Sequence, residues 1–230
     1  MRLLLACSVA LSVCAAGALA QTGPTIATRQ VGTATLQNVP EISADVTAAV
    51  QRYQNYRTAL FQDWLSDGSI LIATRFGSTQ QIHRVTAPGG DRTQITFQNE
   101  PVAGAVAIPG TQRFVFTRDT GGDEWFQSYV AGLTGEPVQL TEAGTRNAAP
   151  VFSPDGKLLA YSRATKGSAD YSIYVADPSD ARSAKSVYRE TGSIGPDDIS
   201  ADRGKVLLTR SISNRESQLF VLDLDRKSVV

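Results

Sequence analysis

Phe152-Ser153-Pro154-Asp155-Gly156-Lys157-Leu158-Leu159-Ala160-Tyr161 decides how this 230-residue chain folds. A tight Ser-Pro-Asp-Gly turn runs straight into strand-forming residues. The same turn-plus-strand pattern occurs four times. Its other copies hold Trp64-Leu65-Ser66-Asp67-Gly68, Ala107-Ile108-Pro109-Gly110 and Ile199-Ser200-Ala201-Asp202-Arg203-Gly204. The turn glycines Gly68, Gly110, Gly156 and Gly204 therefore stand 42, 46 and 48 residues apart. That period suits a four-stranded propeller blade.

The strands after the turns run Ser69 to Arg75, Arg113 to Arg118, Leu158 to Arg163 and Val206 to Arg210, each ending in a small polar residue and an arginine. A further strand follows in each unit, from Gln81 to Val85, Gln127 to Val130, Ser172 to Ala176 and Gln218 to Leu222. Outer strands are predicted over Thr93 to Phe97, Pro137 to Thr141 and Ser186 to Arg189, after turns rich in Pro, Gly and Asp. The fold class expected is all-β, a β-propeller with blades at 61–102, 103–149 and 150–195 and an incomplete blade at 196–230. The last outer strand would be Lys227 to Val230, where the sequence stops. Propellers remove open edges by closing a ring of ~4 to 8 blades. An arc of this length is therefore expected to be a piece of a longer protein, with a four-bladed ring completed by residues 21–60 as the alternative.

Ahead of the repeat, Pro40-Glu41-Ile42-Ser43 begins a predicted short amphipathic helix that ends near Tyr56, with Ser43 as its cap and Ile42, Val46, Val50 and Tyr53 along one face. Residues 21–39 read either as a linker or, over Ala34 to Val39, as an edge strand of a distant blade. Residues 1–20 read as a signal peptide: a positive Met1-Arg2, an apolar run from Leu3 to Val13, and an A-x-A cleavage signal at Ala18-Leu19-Ala20. The run is short and Ala/Ser-rich for a membrane span, and no charged flank follows it. Both cysteines, Cys7 and Cys14, fall in this leader, so the mature chain would use no disulfide, thiolate or Cys-ligated metal. Lipidation at Cys14 is disfavoured by Val13 before it. Periplasmic or secreted localisation is the expectation, with no membrane attachment after cleavage.

Composition narrows the function classes. The whole chain balances 22 Lys plus Arg against 22 Asp plus Glu, and removal of Arg2 with the leader leaves a net charge of −1. With 19% charged residues and a mean hydropathy of −0.13, the chain has neither a disordered tail's charge excess nor a nucleic-acid binder's basic field. No P-loop, G-x-G-x-x-G, H-E-x-x-H or paired Cys-x-x-Cys occurs, so no cofactor or metal is expected.

The Phe152 to Tyr161 stretch resembles the repeat shared by the Tol-system periplasmic propeller and the propellers of the prolyl oligopeptidase family. Two further stretches are similar to the peptidases specifically. One is Asp63 to Gly68 running into Thr74-Arg75-Phe76-Gly77 and Gln81 to Val85; the other is Arg118-Asp119-Thr120-Gly121-Gly122-Asp123-Glu124. The resemblance covers residues 50–230. It implies the propeller portion of an exported serine peptidase, one that gates and filters peptide substrates for an α/β-hydrolase domain C-terminal to this chain. That domain would carry the Ser-Asp-His triad. This chain has no G-x-S-x-G elbow, and its single histidine, His83, lies in a repeated strand. Dipeptide-removing members hold the substrate amine with paired glutamates, and no adjacent Glu-Glu pair occurs here. The alternative function is a stand-alone Tol-like propeller binding a protein or envelope ligand; a propeller lyase or glycan binder has the fold but no matching residues.

The candidate contact residues for substrate or a partner domain are Asp119, Asp123, Glu124 and Trp125. The three acids crowd a Gly-rich loop, without the alternating carboxylates of an EF-hand calcium loop. Their competing role is structural, with Gly121 and Gly122 supplying positive φ and the carboxylates accepting backbone N–H groups. Trp125 is the aromatic placed to meet a partner; Trp64, Tyr129, Tyr161 and Tyr174 read as packing between sheets. The repeated arginines Arg75, Arg118, Arg163 and Arg210 either line one face or pair with acids of neighbouring blades.

Overall fold

The structure, a computed structural model, describes residues 26–226, 228 and 229, without the side chain of residue 149. The leader and both cysteines lie outside the described residues. Residues 26–41 form one unit. In it β1 (Thr28–Val31) and β2 (Ala34–Gln37) pair as a two-stranded antiparallel hairpin. Its open end is closed by Asn38, whose N–H donates to the Ala27 carbonyl at 2.8 Å while its side-chain oxygen accepts the Ala27 N–H at 3.0 Å. The stretch from Ala34 is therefore a strand, paired with its own predecessor.

The second unit starts at Ile42. Helix α1 (Ala44–Gln54) is capped by Ser43, whose hydroxyl accepts the Val46 N–H at 3.3 Å. Four antiparallel sheets of four consecutive strands follow. The first contains β3 (Leu60–Trp64), β4 (Ile70–Thr74), β5 (Gln81–Val85) and β6 (Thr93–Gln94). The second contains β7 (Ala103–Ala107), β8 (Phe114–Arg118), β9 (Gln127–Ala131) and β10 (Val138–Gln139). The third contains β11 (Thr145–Phe152), β12 (Leu159–Thr165), β13 (Ser172–Asp177) and β14 (Asp180–Arg189). The fourth contains β15 (Ser193–Ile199), β16 (Lys205–Ser213), β17 (Glu216–Asp223) and β18 (Ser228–Val229). The short β18 lies where the sequence placed the outer strand from Lys227 to Val230.

Alternation along the second strand of each sheet joins the sheets. Leu71 and Ala73 of β4 meet Phe114 and Phe116 of β8, with Ile82 and Ala105 in the same cluster. Val115 of β8, on the opposite face, meets Leu159 and Tyr161 of β12. Ala160, with Ile173 and Val175 of β13, then meets Val206 and Leu208 of β16. Each middle sheet thus buries both faces, which requires apolar residues at successive positions.

The turns that opened the sequence reading are built from short polar side chains. Ser153 donates its hydroxyl to Asp155 at 2.6 Å, and Asp155 accepts the Lys157 N–H at 3.1 Å. Asp202 accepts in the same way from Ser200 at 2.6 Å and from the Gly204 N–H at 3.0 Å. These bonds to the ionised form hold both carboxyls below the usual range. In the fourth turn the left-handed residue is Arg203, at φ 61°, rather than Gly204. Gly156, at φ 70°, is the tightest of the turn glycines: a Cβ there would stand 2.5 Å from the Pro109 carbonyl oxygen of the preceding sheet's turn. At Gly68, φ 82°, a Cβ would meet nothing within 4 Å.

Gly156→Ala is therefore expected to destabilise the chain by about 2–4 kcal/mol, from the left-handed backbone and the collision together. Gly68→Ala should lose only about 1–2 kcal/mol, from the backbone alone. Thermal unfolding of the two variants checks the order; equal losses would show that the two turns do not approach so closely.

Candidate functional site

One end of the sheets gathers the connections from second to third strand together with the links from each outer strand to the next inner one. The candidate loop, residues 119–126, is one of these connections. Asp119 is nearly buried and accepts the Glu124 N–H at 3.0 Å, while Asp123 accepts the N–H of Trp125 at 2.9 Å and of Thr120 at 3.4 Å. Gly121 and Gly122 take φ of 62° and 78°, and Glu124 itself is left-handed at 58°. The two aspartates thus fasten the loop through its own N–H groups. Among the described residues no group of three acids, histidines or cysteines is placed to hold a metal ion.

The loop forms one wall of an open cavity of about 200 Å³, lined by Thr120, Asp123, Trp125, Gln127, Tyr129 and Lys166. Of the four candidates, Asp123 and Trp125 line it; Asp119 is turned into the loop, and the Glu124 side chain is exposed. Half-buried Trp125 offers an apolar face between a carboxylate and an ammonium. Lys166 was not singled out in the sequence, because it belongs to the loop of the next repeat and only the packing of the second and third sheets brings it here.

Beneath this rim runs a series of ion pairs. Arg118 meets Glu100 at 3.2 Å, Arg163 meets Glu142 at 3.3 Å and Arg210 meets Glu190 at 2.8 Å. Every one of these acids lies in the link that enters the arginine's sheet. Arg163 also donates to Asn147 and to the Tyr161 hydroxyl and stacks 4.1 Å over Tyr174; Arg118 stacks 4.6 Å over Tyr129. Arg75 does not join the series. The first turn closes with Leu65 N–H on the Ser69 carbonyl, one residue tighter than Ser153 on Leu158, so Thr74 takes the position of the other arginines. Arg75 instead donates to the Gln54 carbonyl at the end of α1.

Comparison with known proteins follows from this geometry. No protein-family profile matches the chain, and no curated protein matches it. Among solved structures it aligns with a prolyl endopeptidase at TM-score 0.61 and 12% identity, over 90% of this chain and 39% of that one. It aligns with an oligogalacturonate lyase from Vibrio parahaemolyticus at 0.61 and 12%, over 76% and 52%. A putative TolB from Agrobacterium tumefaciens gives 0.53 and 19%, over 74% and 61%. The fold is a β-propeller. The chain spans between 39% and 61% of these three relatives' own lengths, and likeness at such identities establishes the fold alone.

His83 is a core residue of this propeller. It is 1% exposed, with its ring 5.2 Å from Phe76 and its Nδ1 3.2 Å from the Gln81 carbonyl, so Nδ1 carries a proton in the neutral ring. Burial, helped by the charge of Arg92, pushes its pKa below the ordinary 6.5 against the pull of the Gln81 carbonyl. The unfolded chain therefore binds this proton more readily than the folded one. The stability His83 contributes is present above pH 6.5 and is lost as pH falls below it. The unfolding midpoint of the wild-type chain should drop more steeply between pH 7 and pH 5 than that of His83→Gln. Parallel profiles would remove His83 as the titrating group.

Proposed function

We propose that this chain is the propeller portion of an exported prolyl-oligopeptidase-type serine peptidase, gating and filtering peptides for an α/β-hydrolase domain of the same protein. The observation that carries this is the 119–126 loop. The stretch that resembles the peptidases is folded by its own aspartates into a fixed rim wall presenting Asp123 and Trp125 beside Lys166. A rim of this kind suits a short peptide: Trp125 covers an apolar side chain, and Asp123 and Lys166 are complementary to its charged ends. The alignment over 90% of the chain with a prolyl endopeptidase supports the same reading. No helix among the described residues is long and apolar enough to cross a membrane. Export rests on the leader. A second reading, a Tol-type binding propeller in the periplasm, is supported by the alignment that covers 61% of the putative TolB.

A fluorophosphonate probe applied to the periplasmic fraction of the host separates the two. Under the peptidase reading the labelled serine lies outside these 230 residues, in a protein that contains them, and the 230-residue chain alone cleaves no prolyl peptide. In that protein Trp125→Ala should raise KM for peptides about tenfold with kcat little changed, as loss of one apolar contact of about 1.4 kcal/mol does. An unlabelled periplasmic protein that captures an envelope partner would favour the second reading, and a labelled serine within this chain would overturn both.

A further inference from the structure

The two end sheets each present a face that the repeat otherwise buries. Within the first three sheets, the third-strand positions facing the next sheet include Ile82 and Ile173, both 0% exposed; the matching Leu219, paired with Thr209 as Ile173 is with Ser162, is 68% exposed. Val221, opposite Leu207, lies beside it on the same face. At the other end, the last residue of each inner strand meets the preceding sheet. Ile199 there is 2% exposed, whereas Trp64, at the same register in the first sheet, is 62% exposed. Trp64 and Phe61 border an apolar groove of about 450 Å³, continued by Ile70, Val85 and Pro88.

The polar contacts of the first joint are also prepared at the fourth sheet. Asp63 follows a bulge in β3, sits opposite Leu71 and gives its Oδ1 to the next N–H, that of Trp64, at 2.8 Å. Its Oδ2 reaches across the joint to the Ala107 N–H at 2.8 Å, and neighbouring Gln62 accepts the Ala105 N–H at 3.0 Å. Asp198 follows a bulge in β15, sits opposite Leu207 and gives its Oδ1 to the Ile199 N–H, also at 2.8 Å. Asp197 stands where Gln62 does. In the second and third sheets the positions of Asp63 are Val106 and Val151, which have no acceptor to offer.

From this continuity with the joints inside the chain, we infer that the fourth-sheet face takes the first-sheet face of a second copy. Leu219 and Val221 pack on Phe61 and Trp64 of the other copy, with Asp198 accepting from its inner strand. The contact is head-to-tail, and two such contacts close two arcs of four sheets into a ring of eight, within the ~4 to 8 blades that propellers use. The inference stands on the repeat and is independent of the peptidase reading.

Light scattering on the purified chain at ~50 μM, above the micromolar Kd of weak interfaces of standard size, should give twice the 24.6 kDa chain mass. Leu219→Glu and Trp64→Glu each remove one of the two faces, and each should yield a monomer with unchanged circular dichroism, since both side chains are exposed within the chain. Mixed together, the two variants retain one sound face apiece and should form a one-to-one heterodimer. A wild-type monomer, a dimer indifferent to both substitutions, or a mixture that stays monomeric would each overturn the proposal; the first would leave this face to a further sheet of the same polypeptide.

Discussion

A four-stranded sheet that is apolar on both faces has nowhere to put one of them except against another sheet. That constraint governs this molecule. The second strands run Ile70-Leu71-Ile72-Ala73 and Phe114-Val115-Phe116, with successive side chains pointing to opposite faces. Burial on both sides then selects stacking over a single sheet with one wet face. The turns at Gly68, Gly110, Gly156 and Arg203 serve this stacking by returning the chain within a few residues, so that each sheet stays thin enough to lie on its neighbour.

Register transmits the constraint to charge. Period-two alternation means that a turn one residue shorter exchanges the faces of everything after it. The first turn is shorter, and Arg75 consequently leaves the set of Arg118, Arg163 and Arg210. Those three reach back to Glu100, Glu142 and Glu190 at the links, so each tethers the entry of its own sheet. Arg163 shows how a guanidinium is accommodated in the interior: two tyrosine rings, an asparagine and a half-free glutamate share its five N–H groups and its flat faces.

Much of this was legible in the residues. Val, Ile, Phe and Tyr mark the second and third strands, and Ser43 marked the helix start. The inner strands escaped notice because packing density selects small residues there: Ala103-Gly104-Ala105-Val106-Ala107 has no β-branched run to betray it. The hairpin of residues 28–37 was hidden by its polar composition, and Arg203 by a glycine one place later. At the candidate site, the aspartates' service to the loop's own N–H groups followed from turn chemistry. The participation of Lys166 did not, because it arises from contact between repeats and leaves no local pattern.

Consecutive pairing within every sheet has a kinetic consequence. Each strand meets only its immediate predecessor and successor in the chain, so closing a sheet involves loops of a few residues and no distant search. As the polypeptide emerges from the ribosome, or from any pore it threads, a sheet can assemble once roughly 45 residues are free, and the next can nucleate on its exposed apolar face. The order of assembly is then written in the order of synthesis, and the face most prone to misassociation at any moment is the newest one.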